Sequence, residues 1–388
     1  MNILILAHGY FPYGGAYASR LLNMCRLIHA SSNNAHVITW FKNRDKKREP
    51  SKEICTFDHI SDSHSRFDNY ILPFKLIKRA YEYASNNTVD CIISSRMPIG
   101  FNSLLRLSKK LNIPLLLEQC EWIDSSNFNG GKYQPLYFLG ERNMIYNYKK
   151  SDGIIAISRL LYDHYSTQGV NVIRMPTILD VKEMDYEVEL RNEPTEISYF
   201  GSPGVSKENL KNVIRAIAII NEQEKRIHLN IYGPNRESVL RNIGYDEVLL
   251  QTANDYITIQ PNVPQSEMPC YIRASDYTFF ARPNRRSSNA GFPTKFAESM
   301  ASGTPVITNL TGDIELYLKD KVNGRVLRDT TVDSIHATLL EIIEETQETR
   351  KCMRINARRT AEKCFDYRVY TEEFCKFITS LVEKRLKK

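Results

Sequence analysis

The sequence lacks any hydrophobic run long enough to cross a membrane, and its start does not resemble a signal peptide. No apolar stretch approaches the roughly 18–20 residues that a membrane span needs. The first residues, MNILILAHGYFPYGG, have no basic region and only a short apolar run. We therefore expect a cytoplasmic protein without a membrane-spanning helix.

The cysteines and histidines are also not spaced like metal ligands. The 8 Cys form no CxxC pair, and the 8 His are dispersed along the chain. This pattern predicts buried free thiols in a reducing compartment and no zinc site.

Most of the chain has no excess of charge of one sign. The formal net charge is +7, and residues 350–388 hold all of it, with 12 Lys and Arg against 5 Asp and Glu. A nearly neutral body argues against a nucleic-acid-binding protein. The basic end instead predicts a segment that faces something anionic.

The chain is long enough for two domains, and its composition is that of a globular protein. It has 388 residues, of which 42% are hydrophobic. Helical patterns separate short apolar runs at 3–7, 36–41, 91–95, 114–117 and 153–158. Because these runs are continuous rather than alternating, they predict parallel strands that are covered on both faces.

The same alternation of apolar runs and helical patterns follows a polar stretch at 182–196. The second set of runs is at 197–201, 229–233, 257–260, 277–281 and 305–309. We therefore predict an α/β protein with two doubly wound, Rossmann-like parallel sheets that face a cleft. Ligands of such sheets bind at the carboxyl ends of the strands. The predicted domains are residues 1–182 and 183–364, followed by a final helix at 365–388.

Two glycine-containing segments lie where such a fold binds phosphates. Gly14 and Gly15 directly precede the first helix, where glycine allows close backbone approach and helix amides favour an anion. Gly201 ends the first strand of the second domain, and Lys207 behind it suits a diphosphate. A plain turn and a solvated lysine are the alternatives. The GxGxxG pattern of nicotinamide sites is absent.

The strongest segment is RPNRRSSNAGFPTKFAESMASGTPVITN, residues 282–309. It predicts a strand, a long polar loop and a helix at 294–302 that Gly303 and Pro305 terminate. Glu298 lies one turn into this helix, and its carboxylate can accept hydrogen bonds from both hydroxyls of a ribose. The alternative is an ordinary capped surface helix.

The segment GFPTKFAESMASGTPVI resembles the signature of the family-4 (group 1) retaining glycosyltransferases, which have the GT-B fold. KDKVNGRVL at 319–327, SDGIIAIS at 151–158 and the glycine segments are similar to that family as well. The Pro-Thr-Lys-x-x-Glu wording is similar to enzymes that build capsule and lipopolysaccharide sugars.

The resemblance implies an enzyme that moves a sugar from a nucleotide-diphosphate sugar to a glycan or a polyprenyl-diphosphate-linked acceptor. It implies no cofactor and no metal, and a place in the cytoplasm or on the inner face of the membrane. It also implies that the last helix crosses back to pack on the first domain. An apolar stripe supports such packing: Phe365, Val369, Tyr370, Phe374, Phe377, Ile378 and Leu381.

By the same resemblance, Glu298 holds the nucleotide ribose and Lys207 stabilises the diphosphate in catalysis. Arg96 and Glu121 follow strands of the first domain and are candidates for the catalytic, acceptor-facing side. The implied donor-binding set is Gly14, Gly15, Gly201, Lys207, Asn289, Gly291, Phe292, Pro293, Thr294, Lys295 and Glu298.

The sequence departs from the family pattern at three places. Ala290 replaces the first Glu of the E-x7-E motif, Ser202 and Pro203 stand where an arginine is usual, and no histidine follows the run at 91–95. A catalytically silent nucleotide-sugar-binding subunit and a nucleotide-sugar 2-epimerase are therefore the alternative functions.

Two further basic stretches, 42–48 and 74–81, lie in the first domain. Basic and apolar residues together can rest on an anionic membrane surface. Solvated charged faces are the alternative reading of both stretches.

Overall fold

Both predicted sheets are present in the computed structural model, and every strand pairing in the described part of the chain is parallel. The predicted fold class is therefore confirmed. The structure describes residues 1–42, 52–65, 67–128, 130–186, 194–203, 208, 210–261, 263–264 and 267–387. One compact unit comprises Met1–Leu179, Ala290–Phe292 and Tyr367–Lys388, and the other comprises Asp180–Asn289 and Pro293–Asp366.

The first unit has eight strands: β1 (Asn2–Leu6), β2 (Tyr10–Phe11), β3 (Asn34–Lys42), β4 (Thr56–Ser61), β5 (Cys91–Ser95), β6 (Leu115–Gln119), β7 (Gly153–Ala156) and β8 (Val172–Arg174). Their order is β2-β3-β1-β5-β6-β7-β8, and β4 pairs with β3. The central strands β5, β6 and β7 are buried along their whole length, which explains their continuous apolar sequence.

The helices of this unit connect the parallel strands, and they are α1 (Ala16–Ala30), α2 (Asp68–Asn86), α3 (Phe101–Leu111), α4 (Pro135–Arg142) and α5 (Arg159–Ser166). The apolar face of α1, which includes Leu21, Cys25 and Ile28, is buried. None of the helices in the described ranges is both long and apolar enough to span a bilayer.

The second unit has six strands in the order β11-β10-β9-β12-β13-β14. They are β9 (Thr195–Phe200), β10 (Ile227–Gly233), β11 (Ile257–Pro261), β12 (Tyr277–Phe279), β13 (Val306–Asn309) and β14 (Gly324–Leu327). Ile197 of β9 lies opposite Leu229 on one side and Tyr277 on the other, and all three side chains are buried.

The helices of the second unit are α6 (Leu210–Ile220), α7 (Arg236–Asn242), α8 (Glu247–Thr252), α9 (Met268–Arg273), α10 (Arg286–Ala290), α11 (Thr294–Ala301), α12 (Val332–Ile343) and α13 (Gln347–Cys364). Helix α10 lies within the stretch that the sequence predicts to be a loop. Its five residues are polar or small and form a single helical turn, which has no apolar periodicity.

The closing helix α14 (Thr371–Leu386) packs on the core of the first unit. Phe374, Ile378 and Leu381 are buried there, but Val369 is about half exposed, so the predicted apolar stripe is wrong at that residue. The chain turns through a short 3₁₀ segment at Tyr367–Tyr370, which interrupts the helical periodicity.

The cysteine prediction is correct in part. All eight thiols are free, and Cys25, Cys55 and Cys91 are buried. Cys270 and Cys352 are exposed, however, because each lies on the solvent-facing side of a helix.

Replacing Phe374 with alanine tests the packing of α14. The Phe374 ring is 1% exposed, so its loss should lower the free energy of unfolding by about 3–5 kcal/mol. Val369→Ala removes an exposed side chain and should change it by less than about 0.5 kcal/mol. Denaturant unfolding of both variants measures this, and equal effects would contradict the described packing.

Candidate active site

In the second unit, two glycines meet where β9 and β10 end. Gly201 has a φ of 92°, which favours glycine, and its N–H donates to the carbonyl of Tyr232 over 3.0 Å. A Cβ on Gly233 would lie 3.5 Å from the Gly201 backbone. The two glycines therefore let the chain leave both strands in close contact.

A buried ion pair lies beside this strand edge. The Lys295 ammonium donates to the Glu208 carboxylate over 2.6 Å, and the Tyr199 hydroxyl donates to the same carboxylate over 2.5 Å. The ammonium also lies 4.3 Å from the centre of the Tyr199 ring and 5.6 Å from that of Phe280. A carboxylate and two aromatic faces thus surround this cation.

The electrostatics of Lys295 follow from that enclosure. Burial lowers the pKa of Lys295 from its ordinary value, while Glu208 opposes the decrease and Arg282 adds to it. Arg282, at the end of β12, therefore lies close enough for its positive charge to act on Lys295. The charge of Glu298 also acts on Lys295, so two cations and two carboxylates occupy this region.

Glu298 is the fifth residue of α11 and is only partly exposed to solvent. Within the described residues its carboxylate has no hydrogen-bond donor. Burial raises the pKa of Glu298 to about 7, although the positive charge of Lys295 acts in the opposite direction. A desolvated carboxylate without a donor is suited to a ligand that brings hydroxyl groups.

The loop before α11 is held mainly by its own contacts. The Asn289 side chain donates to Asn284 over 2.8 Å and accepts from the Gly312 N–H over 2.8 Å. A Cβ on Gly312 would lie 2.7 Å from the Asn289 carbonyl oxygen. The amide of Asn289 is thus engaged in shaping the loop, which is a structural use that the sequence did not predict.

The residues that follow are mostly enclosed. Gly291, Phe292 and Pro293 are buried, and Thr294 and Lys295 are partly exposed. Pro293 occupies the N-cap of α11, where no side chain accepts a hydrogen bond from the first turn. The first amides of this helix therefore have no side-chain cap, as expected of amides that serve a ligand.

Ala290, at the position of the missing family glutamate, is fully buried. Its carbonyl accepts a hydrogen bond of 2.7 Å from the Ser158 hydroxyl. The methyl group of Ala290 can supply no hydrogen bond, so this chain cannot use a carboxylate there.

In the first unit, a histidine that sequence reasoning missed lies at the carboxyl end of the sheet. His8 Nδ1 is 2.9 Å from the Ser95 hydroxyl, and the ring stacks on Tyr17 at 4.8 Å. Burial, followed by the charge of Arg96, lowers the pKa of His8 to about 4. His8 is therefore neutral at physiological pH and can accept or donate hydrogen bonds.

Arg96 and Glu121 lie at this same edge and pair with each other over 2.5 Å. Both side chains are partly exposed. Glu118 lies within β6, three residues before Glu121. It is instead buried and pairs with Arg20 over 2.6 Å. Glu118 is thus a packed and paired residue.

Gly14 and Gly15, the two glycines before α1, are favoured for different structural reasons. A Cβ on Gly14 would lie 2.4 Å from the Tyr10 Cβ, so the position has no space for a side chain. Gly15 is the N-cap of α1 with a φ of 100°, and a Cβ there would meet nothing within 4 Å. Gly15 is therefore favoured by its backbone conformation and not by a lack of space.

The structure thus brings together Gly201, Lys295 and Glu298 in one unit, and His8, Arg96 and Glu121 in the other. Lys207 lies outside the described residues. Glu208 was missed because the sequence pattern drew attention to the lysine before it. His8 could have been found, since it follows the first apolar run at the same strand edge as Arg96.

Within the described ranges, no group of three or more His, Cys, Asp or Glu side chains is arranged to hold a metal ion.

Solved structures resemble the chain over nearly its whole length. Sucrose-phosphate synthase (tll1590) from Thermosynechococcus elongatus shares 13% identity with a TM-score of 0.77, covering 99% of this chain and 100% of that one. HepE from Anabaena with UDP and glucose shares 15%, with a TM-score of 0.71 and coverage of 98% and 100%. WaaG, a glycosyltransferase involved in lipopolysaccharide biosynthesis, shares 13%, with a TM-score of 0.68 and coverage of 98% and 100%.

These likenesses define the class of the fold, which is GT-B. No curated protein sequence matches the chain. Residues 181–360 match the family described as Glycosyl transferases group 1. This match covers most of the second unit, which is therefore similar to that family.

Removing the Glu208 carboxylate tests the buried ion pair. Glu208→Ala leaves Lys295 buried without its partner, which should lower the free energy of unfolding by about 3–5 kcal/mol. Glu237→Ala, which breaks an exposed pair with Arg241 at 3.0 Å, should cost at most about 1 kcal/mol. Denaturant unfolding compares them, and a Glu208 variant as stable as the control would show that the pair is not desolvated.

Proposed function

We propose that this protein is a glycosyltransferase that moves a sugar from a nucleotide-diphosphate sugar to a glycan or a polyprenyl-diphosphate-linked acceptor, with retention of configuration. The observation that carries the proposal is Glu298, a partly buried carboxylate to which no described residue donates a hydrogen bond. It lies on a helix within the residues that match the group 1 family. A ribose diol supplies the two hydroxyl donors that this carboxylate lacks.

The donor diphosphate needs positive charge and free amides. The uncapped first turn of α11 offers the amides, and Lys207 offers the charge, whereas the charge of Lys295 is already paired with Glu208. HepE, which has the same fold, was solved with UDP and with UDP-glucose. Its ligands support a nucleotide-sugar donor here and make UDP the first nucleotide to test.

In a retaining transfer, the bond between the sugar and the diphosphate oxygen breaks as the acceptor oxygen approaches from the same face. The departing diphosphate takes the proton of the acceptor hydroxyl. The protein mainly orients the two substrates and stabilises the negative charge that grows on the diphosphate. This chemistry needs no carboxylate at position 290 and no metal or cofactor.

The acceptor side of the proposal rests on the first unit. His8 is neutral, and the Arg96–Glu121 pair is partly exposed beside it. Together they offer both donors and acceptors, as hydroxyl-rich sugars require. We assign Arg96 and Glu121 to acceptor contact, whereas Gly14 and Gly15 remain assigned to the donor phosphates.

A role in cell-surface polysaccharide synthesis would place the enzyme at the inner face of the membrane. One face of α2 supports this: Phe67, Tyr70, Ile71 and Phe74 lie at helical spacing and are each between 42% and 52% exposed. Lysines at 75 and 78 accompany this α2 face, as in helices that rest on anionic lipid. The basic stretch at 43–48 lies outside the described residues.

Glu298→Ala is the direct test of the ribose assignment. Loss of the carboxylate should weaken UDP binding by about 1–3 kcal/mol, because ribose hydroxyls lose their buried acceptor. Binding should also strengthen in the wild type as the pH rises through about 7, the pKa of Glu298, since only the ionised form accepts both bonds.

Calorimetric titrations between pH 6 and 8 would measure both effects. Glu298→Gln, which has no titrating group, should lose the part of the pH dependence that belongs to residue 298. Glu247→Ala, which removes an exposed carboxylate of the same unit, serves as the matched control. A Glu298→Ala variant that binds UDP as tightly as the Glu247→Ala control would contradict the ribose assignment.

Vesicle co-sedimentation tests the membrane part of the proposal. Ile71→Glu combined with Phe74→Glu should reduce binding to phosphatidylglycerol vesicles by about tenfold or more, because it replaces apolar contacts with repelled charges. Val248→Glu alters a similarly exposed apolar residue of α8 and should have little effect. Wild-type protein that shows no preference for anionic over neutral vesicles would refute membrane binding.

A further inference from the structure

A basic cavity lies at the end of α14, outside the candidate active site. It has a volume of about 230 Å³ and lies within the first unit. The last turns of α14, the segment 149–152 and the turn 169–171 line it. This cavity is below the roughly 300–1,000 Å³ of drug-sized sites, which suits a small ligand.

Most of the charged residues that line the cavity are basic. Lys149, Lys150, Lys384 and Arg385 contribute four positive charges, and Asp152 is the one acidic residue of the lining. Lys384 and Arg385 belong to the basic C-terminal segment, and the fold places them next to Lys149 and Lys150.

Asp152 pairs with Arg385 and with the backbone, so it does not neutralise the three lysines. One oxygen accepts the backbone N–H of Leu115 over 2.9 Å, which fixes the start of β6. The other lies 3.2 Å from Arg385, whose guanidinium also donates to the carbonyl of Ser108 over 3.3 Å. Arg385 is thereby held in place at the cavity wall.

The lysines keep their charge unneutralised. Lys150 donates to the neutral Asn147 side chain over 2.8 Å. Lys149 and Lys384 have no carboxylate within salt-bridge distance among the residues that the structure describes. The Nε–H of Arg385 is buried without an acceptor there as well. Like charges gathered around a concave surface favour an anion.

The floor of the cavity is rigid and remote from the strand edge where His8 and Arg96 lie. Leu381 packs on the backbone at Gly153, where a Cβ would lie 2.8 Å from the leucine methyl. Gly153 begins β7, so the cavity is at the amino ends of the parallel strands. Candidate active-site residues lie at the opposite, carboxyl ends.

We propose that this cavity binds a phosphate-bearing anion. Compact lysine charges and a fixed guanidinium are the groups that bind phosphate oxygens. The phosphate is supplied either by a soluble phosphorylated molecule or by the headgroup of an anionic lipid. This site is separate from the proposed donor site and does not depend on it.

Lysine labelling of the wild-type protein tests the site directly. Reductive methylation is read residue by residue by mass spectrometry, with inorganic phosphate and with sodium chloride at equal ionic strength. Phosphate should slow the labelling of Lys149 and Lys384 several-fold. Lys132, which is exposed elsewhere in the first unit, should label equally in both salts.

A second arm distinguishes the two sources of phosphate. Phosphatidylglycerol vesicles that protect Lys149 and Lys384, where phosphatidylcholine vesicles do not, would identify a lipid headgroup. Protection by inorganic phosphate without protection by vesicles would identify a soluble ligand. Either result supports the cavity as a phosphate site.

The variant Lys149→Ala/Lys384→Ala completes the test. Protection of the remaining Lys150 should need about tenfold more phosphate, because two charged contacts are lost. UDP titration of the same variant reports separately on the donor site and should be unchanged. Labelling of Lys149, Lys150 and Lys384 that neither phosphate nor anionic vesicles alter would overturn the proposal.

Discussion

A parallel sheet brings the carboxyl ends of all its strands to one edge, and this constraint determines where the polar groups of both units lie. In the first unit, His8 follows β1, Arg96 follows β5 and Glu121 follows β6. In the second, Gly201 and Arg282 follow β9 and β12. Residues far apart in sequence thus meet because the strands before them are neighbours.

Charges at these edges are partly removed from water, so each one needs a partner. Arg20 and Glu118 pair in the first unit, and Lys295 and Glu208 pair in the second. Glu298 is different, since burial raises its pKa and none of the described residues donates a hydrogen bond to its carboxylate. In the proposed function a bound ribose supplies the missing donors, and Glu298 lies within the residues that match the group 1 family.

The sequence was informative where the pattern is local. Continuous apolar runs predicted the strands, and helix-stop residues placed α11 and therefore Glu298. His8 and Glu208 acquire their roles only through neighbours on other strands or helices, which no spacing reveals. Helix α10 was missed because one polar turn has no periodicity to detect. The side-chain amide of Asn289, which was expected to contact the donor, instead makes hydrogen bonds with Asn284 and Gly312.

The central claim is that the second unit binds a nucleotide sugar through Glu298. A crystal structure with bound UDP tests this most directly. The account predicts that both ribose hydroxyls lie within hydrogen-bond distance of the Glu298 carboxylate and that the diphosphate lies at the first turn of α11. A nucleotide whose ribose lies away from Glu298, with that carboxylate still lacking a donor, would contradict it.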